Sequence, residues 1–423
     1  MTPRERVLTS LNHEEPDRIP IDLAGTGVTS LHALVYHGIR KLLRFPDKPI
    51  RIYDFGNMTV DIEKEALEYF GVDVISIDRV ADPCPSLPKP FDKCYGWQVW
   101  RTPSGINLEV PSCVKIVEEE NEFKAYWNNR DICIMPKNGQ HFWCKSVVEY
   151  LSNPPLANAK SIEDVKNFNW DLFKFTDEEV EIALRRAMWF YRNTNYVLVM
   201  PIISKINGLH HKAGQVFRGF TKWLADLKLR RPLAEALLDH ALEVILFNVH
   251  KLFGELRGYI HIGIMSDDLG TEEKPQISVQ LFREVYKHRY EEIIKAVKKY
   301  NVYMFLHSDG SIFPLIKEFI DIGLDIINPV QISAKDMDPE KLKKEYGEQI
   351  TFWGGGADTQ HILPFAKPEE VVNHVKKLIK VFAPGGGFVF APVHNIQPPT
   401  PAENVVAMYE TALKYGNYPI KID

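Results

Sequence analysis

The feature that most constrains the fold is a recurring unit, in which a short β-branched apolar run is followed by a polar or glycine-containing turn and an amphipathic helix. Strands that alternate with helices in this way are typical of parallel sheets with helical crossovers. The runs are predicted to form eight strands, at residues 18–23, 72–77, 196–200, 259–265, 302–306, 325–328, 350–353 and 387–391.

Nearly all of these runs are continuously apolar, as strands buried on both faces need to be. We therefore predict an α/β fold, a (β/α)₈ TIM barrel, formed by residues 1–423 as a single domain. An open doubly wound sheet is the main competitor, but no glycine-rich nucleotide-binding turn follows any strand. Residues 83–145 break the rhythm after strand 2 and are predicted to be an insertion, with a hairpin near 102–105.

The composition of the chain limits the classes of partner that it can bind. The 51 basic and 56 acidic residues give a formal charge of −5, without long blocks of either sign, so no nucleic-acid surface is indicated. The N-terminus has no signal-like apolar stretch, and no run approaches about 18 apolar residues, so we expect no membrane partner and a cytoplasmic location. The five cysteines lie between Cys84 and Cys144 without a C-x-x-C spacing, and are interpreted as reduced thiols rather than a metal site.

Polar, ionisable groups follow four of the predicted strands, at residues 266–270, 307–310, 354–358 and 392–395. In a parallel barrel these strand ends face the same mouth, so residues more than a hundred positions apart can meet there. The sequence therefore predicts the active site at the C-terminal ends of the strands.

Within that set, His307, Asp309 and His394 are candidate metal ligands, because imidazole and carboxylate groups suit zinc. Asp268 could be a fourth ligand, orient a histidine or act as a base. The alternative is that both histidines only bond loop backbone, while Asp309 caps the helix that starts near Ser311.

Asp78, after the second strand, is a candidate catalytic carboxylate, although a salt bridge with Arg79 would equally explain it. The triple glycine before Asp358 could give a ligand room to approach, or simply form a turn. Trp353 could line a pocket, although core packing explains most aromatic residues. Four residues are predicted to contact the substrate: Asp358, Asn395, His210 and Trp353.

These residues resemble the uroporphyrinogen decarboxylase superfamily, in particular its corrinoid-linked methyltransferase branch. The resemblance covers most of the chain and is weakest at 83–145. It is carried by Asp267-Asp268-Leu269-Gly270, His307-Ser308-Asp309-Gly310, Asn328-Pro329-Val330-Gln331, Gly354-Gly355-Gly356-Ala357-Asp358, Ala391-Pro392-Val393-His394-Asn395 and Thr400-Pro401-Ala402-Glu403-Asn404.

The methyltransferase branch uses a His-x-Cys pair and a distant Cys to bind a zinc ion that activates a thiol acceptor. The matching positions here are His307, Asp309 and His394, so harder ligands replace both thiolates. The resemblance implies a divalent metal, with a water, alcohol, phenol or carboxylate in place of the thiol. The decarboxylase branch needs no cofactor and uses an aspartate matching Asp78, but its arginines are missing from residues 23–28.

The leading expectation is a zinc-dependent, methyltransferase-like enzyme that moves a methyl group to or from a corrinoid protein, with a small-molecule substrate. The corrinoid would be carried by a partner, because this chain lacks an Asp-x-His-x-x-Gly motif. The alternatives are a cofactor-free decarboxylase that relies on Asp78, and a non-catalytic ligand- or carrier-binding barrel. Homodimers are common in the superfamily, which makes a dimer a candidate assembly.

Overall fold

A computed structural model describes residues 1–81, 96–127, 130–144 and 153–422. Its strands are β1 Leu31–His32, β2 Ile50–Asp54, β3 Thr59–Val60, β4 Val74–Ser76, β5 Trp97–Arg101, β6 Asn107–Pro111, β7 Val114–Glu118, β8 Glu122–Trp127, β9 Arg130–Pro136, β10 Trp143–Cys144, β11 Val197–Met200, β12 Ile262–Ser266, β13 Tyr303–His307, β14 Ile326–Asn328, β15 Thr351–Trp353 and β16 Phe388–Val389.

The α-helices are α1 Pro3–Leu11, α2 Ala33–Leu42, α3 Lys64–Tyr69, α4 Ile162–Lys166, α5 Asp177–Asn193, α6 Phe220–Leu229, α7 Arg231–Leu256, α8 Val279–Leu281, α9 Lys287–Lys298, α10 Phe313–Asp321, α11 Pro339–Tyr346, α12 Pro368–Phe382 and α13 Ala402–Tyr415. A 3₁₀ helix covers Trp170–Phe173, and π-helical turns cover Leu209–Val216 and Phe282–Tyr286. Among the described helices, none combines the length and apolar character that a membrane crossing requires.

The centre of the fold is a seven-stranded parallel sheet in the order β16-β15-β14-β13-β12-β11-β4. Its strands lie within the last seven predicted runs or extend one residue beyond them. Residues 18–23, the first predicted strand, form only isolated bridges. Even so, Ile21 O accepts from Asp73 N at 2.8 Å on one edge of the sheet, and Pro20 O accepts from Phe390 N at 2.8 Å on the other.

Both faces of this sheet are apolar. One face forms an interior cluster of strand residues such as Val199, Ile264 and Phe305, and Val7 of α1 packs against it. Alternate residues, such as Leu198 and Leu306, belong to the larger core under the helices. Burial on both faces explains the continuously apolar runs.

The predicted hairpin near 102–105 is present: β5 and β6 pair antiparallel, and Gly105 N donates to Thr102 O at 2.9 Å. The pair joins a five-stranded sheet of order β1-β3-β2-β6-β5, whereas β7 to β10 form an antiparallel sheet. Residue 83, where the insertion was predicted to begin, lies outside the described residues.

The interpretation of the cysteines as reduced thiols was wrong for two of them, because Cys113 and Cys133 are disulfide-bonded. The spacing of cysteines in a sequence does not show which of them come close together in the fold. Strand pairing can do so: the register of β9 and β10, for example, places the Cα atoms of Cys133 and Cys144 opposite each other. Cys84 and Cys94 lie outside the described residues. Disulfides persist mainly in oxidising compartments, so this bonding gives the cytoplasmic expectation no support.

Candidate metal centre

The C-terminal ends of β12, β13 and β14 lie side by side, with Ser266 paired to His307 and His307 paired to Asn328. Side chains alternate between the faces of a strand, so His307 shares a face with Phe305, and Asn328 shares one with Ile326. Phe305 and Ile326 belong to the interior cluster. His307 and Asn328 therefore sit on the inner face of the sheet at its C-terminal edge.

Asn328 fixes the proton arrangement of His307. Its amide nitrogen donates to Trp353 O at 2.8 Å, so its Oδ1 faces His307 Nδ1, at 2.6 Å. An amide oxygen can only accept, so Nδ1 must carry the proton and Nε2 keeps a lone pair in the neutral ring. This ring is 3% exposed, and its free nitrogen is the one nearest to Asp309.

His394 is arranged in the same way by a different residue. Its Nδ1 lies 3.0 Å from Asn395 Oδ1, which also accepts from Gln397 Nε2 at 3.0 Å. Nδ1 is again the donor, so Nε2 is the nitrogen with a lone pair. Metal-binding histidines are commonly oriented by a hydrogen bond of this kind on the second ring nitrogen.

The Asp309 carboxylate lies between the two rings. Its Oδ2 is 3.6 Å from His307 Nε2 and 3.9 Å from His394 Nε2, and one ligand atom from each of the three residues lies within 4.8 Å of the others. Zinc bonds of about 2.1 Å in a tetrahedron place ligand atoms about 3.4 Å apart. Small side-chain movements would therefore bring the nitrogen, oxygen and nitrogen donors to zinc-binding distances, so the residues fit the ion.

The charges of the three groups support one another. Burial alone would lower the pKa of His307, but the Asp309 and Asp268 carboxylates and the Asn328 hydrogen bond together raise that pKa above its usual value. Burial alone would raise the pKa of Asp309, yet the His307 imidazole lowers it. Burial lowers the pKa of His394, despite the nearby carboxylates. The Asp309 carboxylate is therefore favoured in its ionised form, whereas the raised pKa of His307 favours a protonated ring, which must lose its Nε2 proton before it can bind a divalent cation.

Asp268 lies at the edge of this cluster. Its Oδ1 accepts from Asp309 N at 3.2 Å and is 3.9 Å from His307 Nε2, while its side chain remains 35% exposed. Asp268 thus helps to position the Asp309 backbone and still reaches solvent.

Asp78 lies two residues after the end of β4 and belongs to a second polar group. Tyr53 OH donates to its Oδ2 at 2.8 Å, and Ser76 Oγ donates to its Oδ1. The salt bridge proposed as an alternative is not seen among the described contacts, where Arg79 pairs instead with Asp61, at 3.2 Å.

The four residues predicted to contact the substrate lie in four different surroundings. Asn395 is occupied with His394, as described. Asp358 Oδ1 accepts from Gln360 N at 2.7 Å and His361 N at 3.0 Å, as a turn cap does.

His210 and Trp353 are both fully buried. His210 Nδ1 lies 2.8 Å from Tyr286 OH, and Trp353 Nε1 donates to Asp22 Oδ2 at 2.8 Å. Substrate contact by these residues stays a prediction.

Neither Asn328 nor Tyr53 was predicted to bond with a residue of these sites. Asn328 had a usable signal, since it is a polar residue at the end of a predicted strand, beside the strand that ends in His307. Tyr53 had only the general signal of an aromatic residue that could line a pocket, because it lies on β2, which the strand–helix rhythm does not include.

A family model described as "Uroporphyrinogen decarboxylase (URO-D)" matches residues 199–415, just over half of the chain. No curated protein sequence matches significantly. A solved structure described as a methyltransferase from Methanosarcina mazei is similar with a TM-score of 0.54 and 16% identity, over 98% of this chain and 99% of that one.

Two further structures match less of the chain. A D-psicose 3-epimerase, crystallised in the presence of D-fructose, covers 60% of this chain and 84% of its own, with 10% identity and a TM-score of 0.30. An IOLI protein with a binding zinc atom covers 60% and 81%, with 13% identity and a TM-score of 0.27. The family match includes the segments that carry His307, Asp309 and His394, and the chain belongs to the uroporphyrinogen decarboxylase family.

Proposed function

We propose that this chain is a zinc-dependent, methyltransferase-like enzyme that moves a methyl group to or from a corrinoid protein. The observation that carries the proposal is the convergence of His307 Nε2, Asp309 and His394 Nε2, each pair within 4.8 Å. Three protein ligands leave a fourth tetrahedral position for a substrate, as in catalytic zinc sites. A divalent ion bound there acts as a Lewis acid and lowers the pKa of the acceptor group.

The chain's own residues would prepare this site in three ways. Asn328 and Asn395 hold the Nδ1 protons, so that both Nε2 atoms point lone pairs towards Asp309. The exposed part of Asp268 lies next to the cluster, where a carboxylate can take the proton that an alcohol, phenol or water acceptor loses. Asp309 supplies the negative charge that two neutral histidines lack.

The remaining parts of the proposal concern the barrel and its partners. We infer that residues 18–23 close the sheet into a (β/α)₈ barrel, which the hydrogen bonds of Pro20 and Ile21 to opposite edges support. The corrinoid would arrive on a separate carrier protein and dock at the mouth of this barrel. A similar overall fold in a methyltransferase over nearly the full length of both chains is compatible with that use.

A second candidate is a decarboxylase in which Asp78 is the main catalytic group. Its support is the pair of hydroxyl donors, Tyr53 and Ser76, that orient the Asp78 carboxylate at the end of β4. Under this alternative no metal is needed, and the substrate would be pyrrolic or otherwise carboxylated.

Methylcobalamin offers a direct test, because loss of its methyl group changes its visible spectrum. We expect the zinc-loaded protein to demethylate it with a phenol or alcohol acceptor, and the His307→Ala variant to lose this activity while Asp78→Asn keeps it. Demethylation that survives exhaustive chelation would overturn the proposal. Decarboxylation of a carboxylated pyrrolic substrate by the metal-free protein, lost in Asp78→Asn, would favour the second candidate. Binding of methylcobalamin without turnover by the zinc-loaded protein would point instead to a non-catalytic barrel.

A further inference from the structure

The loop that carries Asp309 is held from one side by the loop that follows β12. Leu269 N donates to Ser308 Oγ at 3.0 Å, and Ser311 N donates to Thr271 O at 2.8 Å. These bonds continue the contact between the two strands beyond their ends. They leave the backbone between Asp309 and Gly310 packed directly against the neighbouring loop.

Two glycines make that contact possible. A Cβ atom on Gly310, whose φ is +88°, would lie 2.7 Å from both Gly270 C and Thr271 O. A Cβ atom on Gly270 would collide with Asp309 O. The two loops therefore touch backbone to backbone, and a small shift of either one moves the Asp309 carboxylate.

A side-chain brace completes the arrangement from a third loop. Gln331, which follows β14 and is 7% exposed, accepts from Gly310 N through Oε1 at 2.7 Å. Its Nε2 donates to Glu272 Oε1 at 2.8 Å, and Gln360 Nε2 donates to the same oxygen at 3.1 Å. The chain Gly310–Gln331–Glu272–Gln360 thus links the loops after β12, β13, β14 and β15.

We propose that Gln331 and Glu272 are positioning residues for the metal centre, acting through the backbone of Gly310 on the reach of Asp309. This inference rests on the proposed function, because it assumes that Asp309 is a metal ligand. Neither residue is among the three ligand groups, so each would act on metal affinity only through geometry. Partners of this outer kind typically change metal affinity 10–100-fold when they are replaced.

The polarity of the brace gives a rescue test. In Gln331→Met the donor and acceptor are both lost, and in Gln331→Glu two carboxylates face each other. The double variant Glu272→Gln with Gln331→Glu restores one donor and one acceptor in reversed order, and leaves an oxygen for Gly310 N. A matched control is Gln280→Met, which removes a similar glutamine–glutamate bond, Gln280 Nε2 to Glu284 Oε1 at 2.9 Å, on an exposed helical turn.

Zinc affinity should be measured by chelator competition, and thermal unfolding should be followed in EDTA for the same proteins. We expect Gln331→Met and Gln331→Glu to weaken zinc binding about tenfold, the double variant to recover most of that loss, and Gln280→Met to match wild type. Unchanged affinity in the single variants, or no recovery in the double variant, would overturn the inference. A lower unfolding temperature in EDTA with unchanged affinity would also overturn it, in favour of a merely structural role. Wild-type protein that binds no zinc would overturn the proposed function as well.

Discussion

The strand-end loops of the parallel sheet and the strands of the 96–144 region are held together in different ways. Around the candidate metal centre, side chains from separate strands bond one another, as in the contact of His307 Nδ1 with Asn328 Oδ1 at 2.6 Å. In the 96–144 region the contacts are mainly backbone ladders between antiparallel neighbours, with buried apolar residues such as Leu108 and Val110 beneath them.

The two regions therefore differ in what they contribute: the strand ends provide the candidate metal centre, and the antiparallel strands contribute to stability. The strand ends gather ionisable groups that are far apart in sequence, so their arrangement depends on the whole sheet. The antiparallel strands depend on local pairing and apolar burial. We expect changes in the first region to act on metal binding, and changes in the second to act on stability.

The largest effect should come from the candidate ligands themselves. His307→Ala and His394→Ala each remove one of three donors. We expect zinc affinity to fall by about 100-fold or more, because loss of a ligand should cost more than the 10–100-fold typical of residues that only hydrogen-bond to a ligand. Chelator competition measures the affinity, and elemental analysis of the purified proteins gives the zinc that each one retains. His250→Ala is the control, since that exposed ring lies 3.0 Å from Tyr300 OH through Nδ1 and is not part of the cluster; zinc retained in all three variants would contradict the assignment.

The next effect tests the supporting region. Leu108 is fully buried, so Leu108→Ala should lower the free energy of unfolding by about 2–5 kcal/mol through lost burial and a residual cavity. Denaturant titration measures this, with Val99→Ala on the paired strand as an exposed control (Val99 is 59% exposed). Zinc affinity should stay within about twofold of wild type, since distant sites act independently. A tenfold loss would break the separation between the two regions.

A pH effect should also arise beside the antiparallel strands. Burial lowers the pKa of His32 to about 4. Its Nδ1 accepts from Leu34 N at 3.1 Å, so Nε2 donates to Gln140 O at 2.8 Å, and protonation would break the cap of α2.

Unfolded histidine titrates near 6.5. Between that pH and about 4, the unfolded chain binds more protons than the folded one, so stability falls as pH is lowered. The loss should reach about 2 kcal/mol at pH 5. His32→Asn keeps a capping side chain without titrating, and should flatten the profile measured by denaturant titration from pH 7 to 4; an unchanged profile would contradict this role of His32.

The smallest effect concerns the glycine contact between the loops. Gly270→Ala forces the backbone away from Asp309 O, and we expect zinc affinity to fall about tenfold, the low end for groups outside the ligand set. Gly254→Ala is the control, because a Cβ there meets nothing within 4 Å. Chelator competition measures both, and equal affinities would show that the contact does not position Asp309.

Much of the parallel sheet could be predicted from sequence, because strands buried on both faces leave continuous apolar runs and their ends leave polar residues. The same logic found His307, Asp309 and His394 as a group, since strand ends in such a sheet converge. It did not find Tyr53 beside Asp78, which depends on a short strand outside the rhythm. It also misjudged Cys113 and Cys133, because disulfide bonding depends on contacts that spacing does not encode.

We propose that a metal ion binds between three side chains: His307 at the end of β13, Asp309 in the loop that follows it, and His394 in the loop after β16. The most direct measurement is anomalous X-ray scattering at the zinc edge, from crystals of the protein grown with zinc. We expect one strong peak about 2.0–2.2 Å from His307 Nε2, Asp309 and His394 Nε2. No peak at this position, or zinc bound only elsewhere, would contradict it.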